Sequence, residues 1–256
     1  MALAALAPLA AVGLARADSA PPTVPAAPTA TTSDAAPAAP TATSAPAAAP
    51  AAKKQKVTVA AMGDSLTDAK SNGGGYLTYL KKKCPKSRFD NFGKGGQMVN
   101  QMRKRFAVDV LGEGVPDKPA YTHVIIFGGV NDLYSDLTAG RTPEKIEGDL
   151  LRMYKAAKGK NMRVVALTVA PWGGFTKYFN ASRKKATAEL NRWIGAQVAT
   201  KNVDHVIDAF SLLSCGDADK LCGKFAEPHK DGLHFGAGGH EVLGKALHEK
   251  VFADCE

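Results

Sequence analysis

Five short apolar runs recur along residues 56–210 with helical patterns between them, and this alternation limits the fold more than any other feature of the chain. The runs are KVTVAAM (56–62), RFDNF (88–92), THVIIF (122–127), RVVALTV (163–169) and HVIDAF (205–210). Several are apolar at consecutive positions, as expected of parallel strands covered on both faces. Helices are expected near 75–83, 98–107, 143–158, 182–200 and 239–251. Thr142-Pro143-Glu144 reads as a helix start, with a capping hydroxyl, a proline in the first turn and an acid at the positive dipole end. Leu150, Met153 and Tyr154 continue an apolar stripe from there. Repeated β–α units imply right-handed crossovers and a doubly wound α/β/α fold around a five-stranded parallel sheet. In such folds the site lies beyond the carboxyl ends of the strands.

The alternation leaves the first fifth of the chain unexplained. Residues 1–17, MALAALAPLAAVGLARA, form an apolar stretch ending in Ala15-Arg16-Ala17, a small-x-small pattern for signal cleavage, although no Lys or Arg precedes the run. Residues 18–52 are almost entirely Ala, Pro, Thr and Ser. They offer too little apolar surface to offset the entropy of ordering them, so a linker is expected. Residues 53–256 then form one domain, with no membrane span anywhere in the chain. Of the 33 Lys+Arg and 24 Asp+Glu, only Arg16, Asp18 and Asp34 precede residue 53, which leaves the domain at a formal +10. Such a charge favours peripheral contact with anionic envelope material. The basic clusters Lys81-Lys82-Lys83, Arg103-Lys104-Arg105 and Arg183-Lys184-Lys185 read first as solvated helix faces, and no nucleic-acid motif accompanies them.

The cysteine count is 4, an even number behind an export signal, which points to disulfides. Cys215 and Cys222 flank the short polar loop GDADKL and are the best local pair. Cys84 and Cys255 then pair by default. The spacing lacks the Cys-x-x-Cys units of a structural zinc site.

Four segments after the strands, or in the last loop, carry candidate chemistry. Gly63-Asp64-Ser65-Leu66 places a hydroxyl at a strand-to-helix turn, where Ser65 is either a nucleophile or a capping residue. Asn91-Phe92-Gly93-Lys94-Gly95-Gly96 is either a cradle of outward N–H groups or a flexible loop. Gly128-Gly129-Val130-Asn131-Asp132 offers a side-chain amide to an oxyanion, or an Asn-Asp turn. In Asp231-Gly232-Leu233-His234 the carboxylate can reach the imidazole and fix its tautomer. His229, Asp231 and His234 also invite a metal, but their bunched spacing carries no strong signature, and none is expected.

Together and in this order, the four segments resemble the GDSL esterases of the SGNH-hydrolase superfamily. The resemblance covers residues 56 to about 251. It implies a flavodoxin-like SGNH-hydrolase fold and a serine esterase needing no cofactor. It assigns the nucleophile to Ser65, the rest of the triad to Asp231 and His234, and the oxyanion hole to Ser65, Gly96 and Asn131. Relatives often continue the glycine block with Asp-Thr, whereas here Gln97-Met98 follows. Trp172 and Phe175, after the fourth strand, are candidate walls for the substrate. The expected substrate is a small-molecule or polymer-linked ester: a short-chain acyl ester, an O-acetyl group on a polymer, or a lysophospholipid. The expected setting is a monomer, secreted or in the cell envelope. From a different class, the domain can be a non-catalytic carbohydrate-binding or scaffold module that retains the fold.

Overall fold

The structure, a computed structural model, describes residues 54–256. The expected signal (1–17) and linker (18–52) lie outside the described residues. The order of elements is β1 (Thr58–Gly63), α1 (Gly75–Lys83), β2 (Arg88–Gly93), α2 (Val99–Asp109), β3 (His123–Phe127), α3 (Val130–Tyr134), α4 (Asp136–Ala139), α5 (Pro143–Gly159), β4 (Arg163–Leu167), α6 (Ala181–Ala196), β5 (His205–Ile207), α7 (Ala209–Leu213), a hairpin of β6 (Ser214–Cys215) and β7 (Asp217–Leu221), and α8 (Ala237–Val251).

Strands β1 to β5 form one parallel sheet in the order β2-β1-β3-β4-β5. The chain leaves β1 toward one edge and later returns to pair β3 on the other side of β1. The β1/β3 crevice is therefore the topological switch point of a doubly wound sheet. Period-2 geometry sends alternate side chains to opposite faces. Val59, Ala61, Ile125, Phe127 and Leu167 pack with α1 and α8 on one face. Ala60, Met62, Val124, Ile126 and Ala166 pack with α2, α5 and α6 on the other. This double burial is why the strands read as continuous apolar runs.

Local chemistry sets the helix ends. Thr142 caps α5 with Pro143 in the first turn, as the sequence predicts. The fifth strand is shorter than expected and stops at Ile207. Asp208 there accepts hydrogen bonds from Ser211 N (3.1 Å) and Ser211 Oγ (2.6 Å), which turns the chain into α7. Cys84 is joined to Cys255, and Cys215 to Cys222. The first bond ties the end of α1 to the C-terminus, and the second closes the β6–β7 hairpin. Among the described residues, no helix is long and apolar enough to cross a membrane.

The two disulfides span 171 and 7 residues. A cross-link that closes the longer loop removes more entropy from the unfolded chain, about 5 kcal/mol against about 2.5 in the chain-entropy description. Replacing Cys84 and Cys255 by Ser should therefore lower the unfolding free energy about twice as much as replacing Cys215 and Cys222. Denaturant melts of the two variants check this, and equal losses would contradict it.

Candidate active site

Strand register brings the chemistry together. Gly63, the last residue of β1, pairs with Gly93 of β2 on one side and Phe127 of β3 on the other. The loops that follow these three strands, carrying Ser65, Gly96 and Asn131, therefore leave the sheet at one rim. Beyond Gly63 the chain does not enter a helix directly, contrary to the expected strand-to-helix turn. The Asp64 carbonyl accepts from Thr67 N (3.1 Å) and Asp68 N (2.9 Å), which makes a tight turn. A single 3-10 turn follows at Ala69–Ser71, and α1 begins only at Gly75. A Cβ on Gly63 would run into the Thr67 side chain, so the turn closes only with glycine there.

Ser65 is 8% exposed at this rim. Its Oγ lies 2.9 Å from Nε2 of His234. On the other side of the ring, Nδ1 lies 2.6 Å from Oδ2 of Asp231. Oδ1 of Asp231 accepts from the backbone N–H of Leu233 (2.9 Å) and His234 (2.8 Å). Partial burial works against the Asp231 carboxylate, but these bonds outweigh it and hold its pKa below the ordinary value. A carboxylate kept ionised fixes the Nδ1–H tautomer and leaves Nε2 free to accept from the Ser65 hydroxyl. Gly232 gives this turn its shape: it has φ +76, and Gly174 backbone packs where a Cβ would sit.

The glycine loop is held from three sides. Gly93 N donates to Oδ1 of Asn91 (2.8 Å), and Gly95 N to Oδ2 of Asp68 (3.0 Å). Those two N–H groups are therefore occupied. Gly96 N and Ser65 N have no partner within the described residues. Gly96 is in the left-handed region at φ +73, with open space where a Cβ would be. Arg105 anchors the far end, donating to Oε1 of Gln97 (2.6 Å) and to the carbonyls of Phe92 (2.7 Å) and Gly63 (3.1 Å). The Asn131 amide donates to the Gln97 carbonyl at 3.0 Å. Its second N–H has only Oδ2 of Asp64, at 3.4 Å, a length that leaves it open to a better acceptor.

Two buried carboxylates stand behind these donors. Asp132, fully buried, accepts from Val99 N at the start of α2 (2.8 Å) and from Nε of Arg141 (2.6 Å). Arg141 continues to Asp149 (2.7 Å), so α2, α3 and α5 are joined beneath Asn131. Asp64 is also fully buried and accepts from Leu66 N (2.9 Å). Burial pushes its pKa from 3.8 up to about 7, against the pull of the Leu66 N–H and the nearby His234.

Ser65, Gly96, Asn131 and His234 line one open cavity of about 340 Å³. Ser71, Gly95 and His229 complete the lining, so no large apolar side chain faces it. The sequence offered His229 only as a metal ligand and Arg105 only as part of a solvated helix face, whereas Arg105 turns inward onto the glycine loop; no signal singled out Asp68 or Ser71. Their roles come from contacts across the fold.

The expected substrate walls also need correction. Trp172 is not a cavity wall. It is completely buried, donates from Nε1 to Thr187 Oγ1 (3.0 Å) and packs edge-on against Phe179. Phe175 is half-buried and sits with Tyr134 and Tyr178 beyond the residues that line the cavity. Among the described residues, the one close group of potential metal ligands is Cys84, His248 and Cys255, whose thiols are spent in the disulfide.

Comparison with known proteins bears on the family and the fold. The model of the GDSL-like lipase/acylhydrolase family matches residues 61–242. The fold resembles a lipase/acylhydrolase from Enterococcus faecalis, at 21% identity and TM-score 0.61, covering 78% of this chain and 97% of that one. It resembles a GDSL-like lipase from Bacteroides thetaiotaomicron at 20% identity and TM-score 0.61, covering 75% and 86%. It also resembles a catalytic mutant of an acetylxylan esterase from Geobacillus stearothermophilus, at 18% identity and TM-score 0.62, covering 78% and 96%. Comparison with curated proteins gives no match.

Asp64 yields a stability test. An acid whose folded pKa is raised gives stability that is complete below its unfolded pKa, here 3.8, and lost as pH rises through about 7. Asp64→Asn keeps the acceptor for Leu66 N and removes the titration. Its melting temperature relative to the parent should therefore improve from pH 4 to pH 8, by the equivalent of up to about 4 kcal/mol. A difference that does not change with pH would contradict the burial account.

Proposed function

Because the chain belongs to the GDSL-like lipase/acylhydrolase family, we propose that it is an exported serine esterase that removes small acyl groups, acetyl above all, from an alcohol. The observation that carries this reading is the continuous relay from Ser65 Oγ through His234 to Asp231, at 2.9 and 2.6 Å.

The reaction follows from these contacts. Ser65 Oγ attacks the ester carbonyl carbon as its proton passes to Nε2 of His234. Electron density moves onto the carbonyl oxygen, where the free N–H groups of Ser65 and Gly96 and the Asn131 amide receive it. Asp231 stabilises the imidazolium. The bond to the alcohol breaks as Nε2 returns the proton to the leaving oxygen, and the acyl group remains on Ser65. Water then attacks the acyl-enzyme with the same base, releasing the acid and restoring the serine. The buried anchors behind the loop keep the donors in place before charge develops, so little reorganisation is needed at that moment.

The character of the cavity argues for a short acyl group. Its lining is polar residues and glycine, with no large apolar side chain to receive a long hydrocarbon chain. Acetyl release is also the activity in the name of the Geobacillus structural neighbour. A lysophospholipid substrate is disfavoured on the same ground. The two disulfides support an oxidising compartment, in line with export.

Ser65→Ala should abolish turnover of a small chromogenic acetate while leaving the fold intact; retained turnover would remove Ser65 from the reaction. Asn131→Ala should lower kcat about a hundredfold or more with little change in KM. A pure KM effect would assign Asn131 to ground-state binding. Across a series of nitrophenyl esters, kcat/KM should fall more than about tenfold from acetate to octanoate, since no large apolar side chain lines the cavity to receive the longer chain. A rise with chain length would overturn the short-acyl reading.

A further inference from the structure

The reaction above uses Ser65, Asn131 and His234 among the side chains that line the cavity of about 340 Å³. Two lining side chains remain, Ser71 and His229. Ser71 Oγ is committed, since it donates to Oδ2 of Asp68 at 3.2 Å. His229 is not. Neither of its ring nitrogens has a hydrogen-bond partner among the described residues, and neither is closed to solvent. The ring is half-buried, and its centre lies 5.5 Å from that of His234. The loop holds it there. Lys230 N donates to the Ala226 carbonyl (2.8 Å) and Gly236 N to the Phe225 carbonyl (2.8 Å), one turn inside another with His229 in the inner one. A Cβ on Gly236 would strike the Glu227 carbonyl, so the base of this loop closes only with glycine.

The chemistry fixes which part of a substrate this imidazole meets. Nε2 of His234 returns its proton to the leaving oxygen, so the alcohol stands within hydrogen-bond reach of the His234 ring. The carbonyl oxygen faces the Ser65, Gly96 and Asn131 donors instead. A ring that shares the cavity with His234, side by side with it, therefore borders the alcohol. The cavity has room for that alcohol, because pockets of a few hundred Å³ hold whole small-molecule ligands and an acetyl group fills little of one. An uncommitted imidazole both donates and accepts, which suits a hydroxyl and gives nothing to a hydrocarbon. Two oxygens on neighbouring carbons lie roughly a hydrogen-bond length apart. Such a pair spans the two rings, with the ester oxygen at His234 and a free hydroxyl at His229.

We propose that His229 selects the alcohol: it binds a free hydroxyl on the carbon next to the esterified one, so that the substrate is a partly acylated vicinal diol, the unit found in polyols and sugars. The proposal rests on the esterase reading above and names the residue that recognises the leaving group.

Two esters that differ by one hydroxyl test this: 2-hydroxyethyl acetate against ethyl acetate, with acetate release followed for the full chain. The parent should favour the hydroxylated ester in kcat/KM by about fivefold or more, the effect of one hydrogen bond. His229→Ala should bring the ratio to about one, and His229→Gln, which keeps a donor and an acceptor, should restore part of it. Interception of the acyl-enzyme reads the same subsite from the other direction. Ethylene glycol should take the acetyl group in preference to ethanol in the parent, and the two should compete equally in His229→Ala. A ratio that His229→Ala leaves unchanged, with both rates falling together, would overturn the proposal and assign the residue to the attacking water or to the loop. Hydrolysis of both esters by the parent without any hydroxyl preference would overturn it too, whatever the variants do, and would leave the esterase reading standing. Hydrolysis of neither ester would sink both.

Discussion

Everything at the rim depends on the pairing of Gly63 with Gly93 and Phe127 at the ends of three adjacent strands. A parallel sheet fixes where each strand ends relative to its neighbours, because a register slip breaks the ladder and exposes apolar residues. The hydroxyl, the free N–H of the glycine loop and the Asn131 amide therefore converge at one rim, and the bond from Asn131 to the Gln97 carbonyl ties two of these loops together. The imidazole arrives separately, from the turn before α8. It is placed by Asp231 on the same turn and by the close approach of Gly232 to Gly174.

The loops themselves are made rigid by polar contacts spent in pairs. Asp68 takes the Gly95 N–H, Asn91 takes the Gly93 N–H, and Arg105 holds Gln97 together with two strand-end carbonyls. Among the described residues, the N–H groups of Ser65 and Gly96, both residues of the cavity lining, are left without a partner. Leaving polar groups open is costly elsewhere in a protein, but at a site it is the capacity to bind charge that appears only during reaction. Asp64 carries a related tension. It is buried beside the donors with its proton held near neutrality, a cost to stability located next to the proposed nucleophile.

Much of this was legible in the chain alone. The five strands and the long helices follow from periodicity, because each lies between two covered faces or presents one apolar stripe. The helix α1 falls at residues 75–83 as expected, and the α5 cap at Thr142 is read from three residues. The four motif segments were legible because short spacing fixes local chemistry. What the sequence hides depends on distant partners. The short helices α3 and α7 have too few turns to show a period, and α7 exists through the side chain of Asp208. Trp172 looked like a wall because it follows a strand near the rim, yet Thr187 on α6 draws its N–H inward. Asp68 and Arg105 look like ordinary surface charges until the fold brings Gly95 and Gln97 to them.

The central claim is that Ser65 is made nucleophilic by the imidazole 2.9 Å away. Reaction with a serine-directed fluorophosphonate, followed by peptide mass spectrometry, tests it most directly. The account predicts a single adduct on the peptide containing Ser65, lost when His234 is replaced by Ala. An absent adduct, or one on another residue, would contradict it.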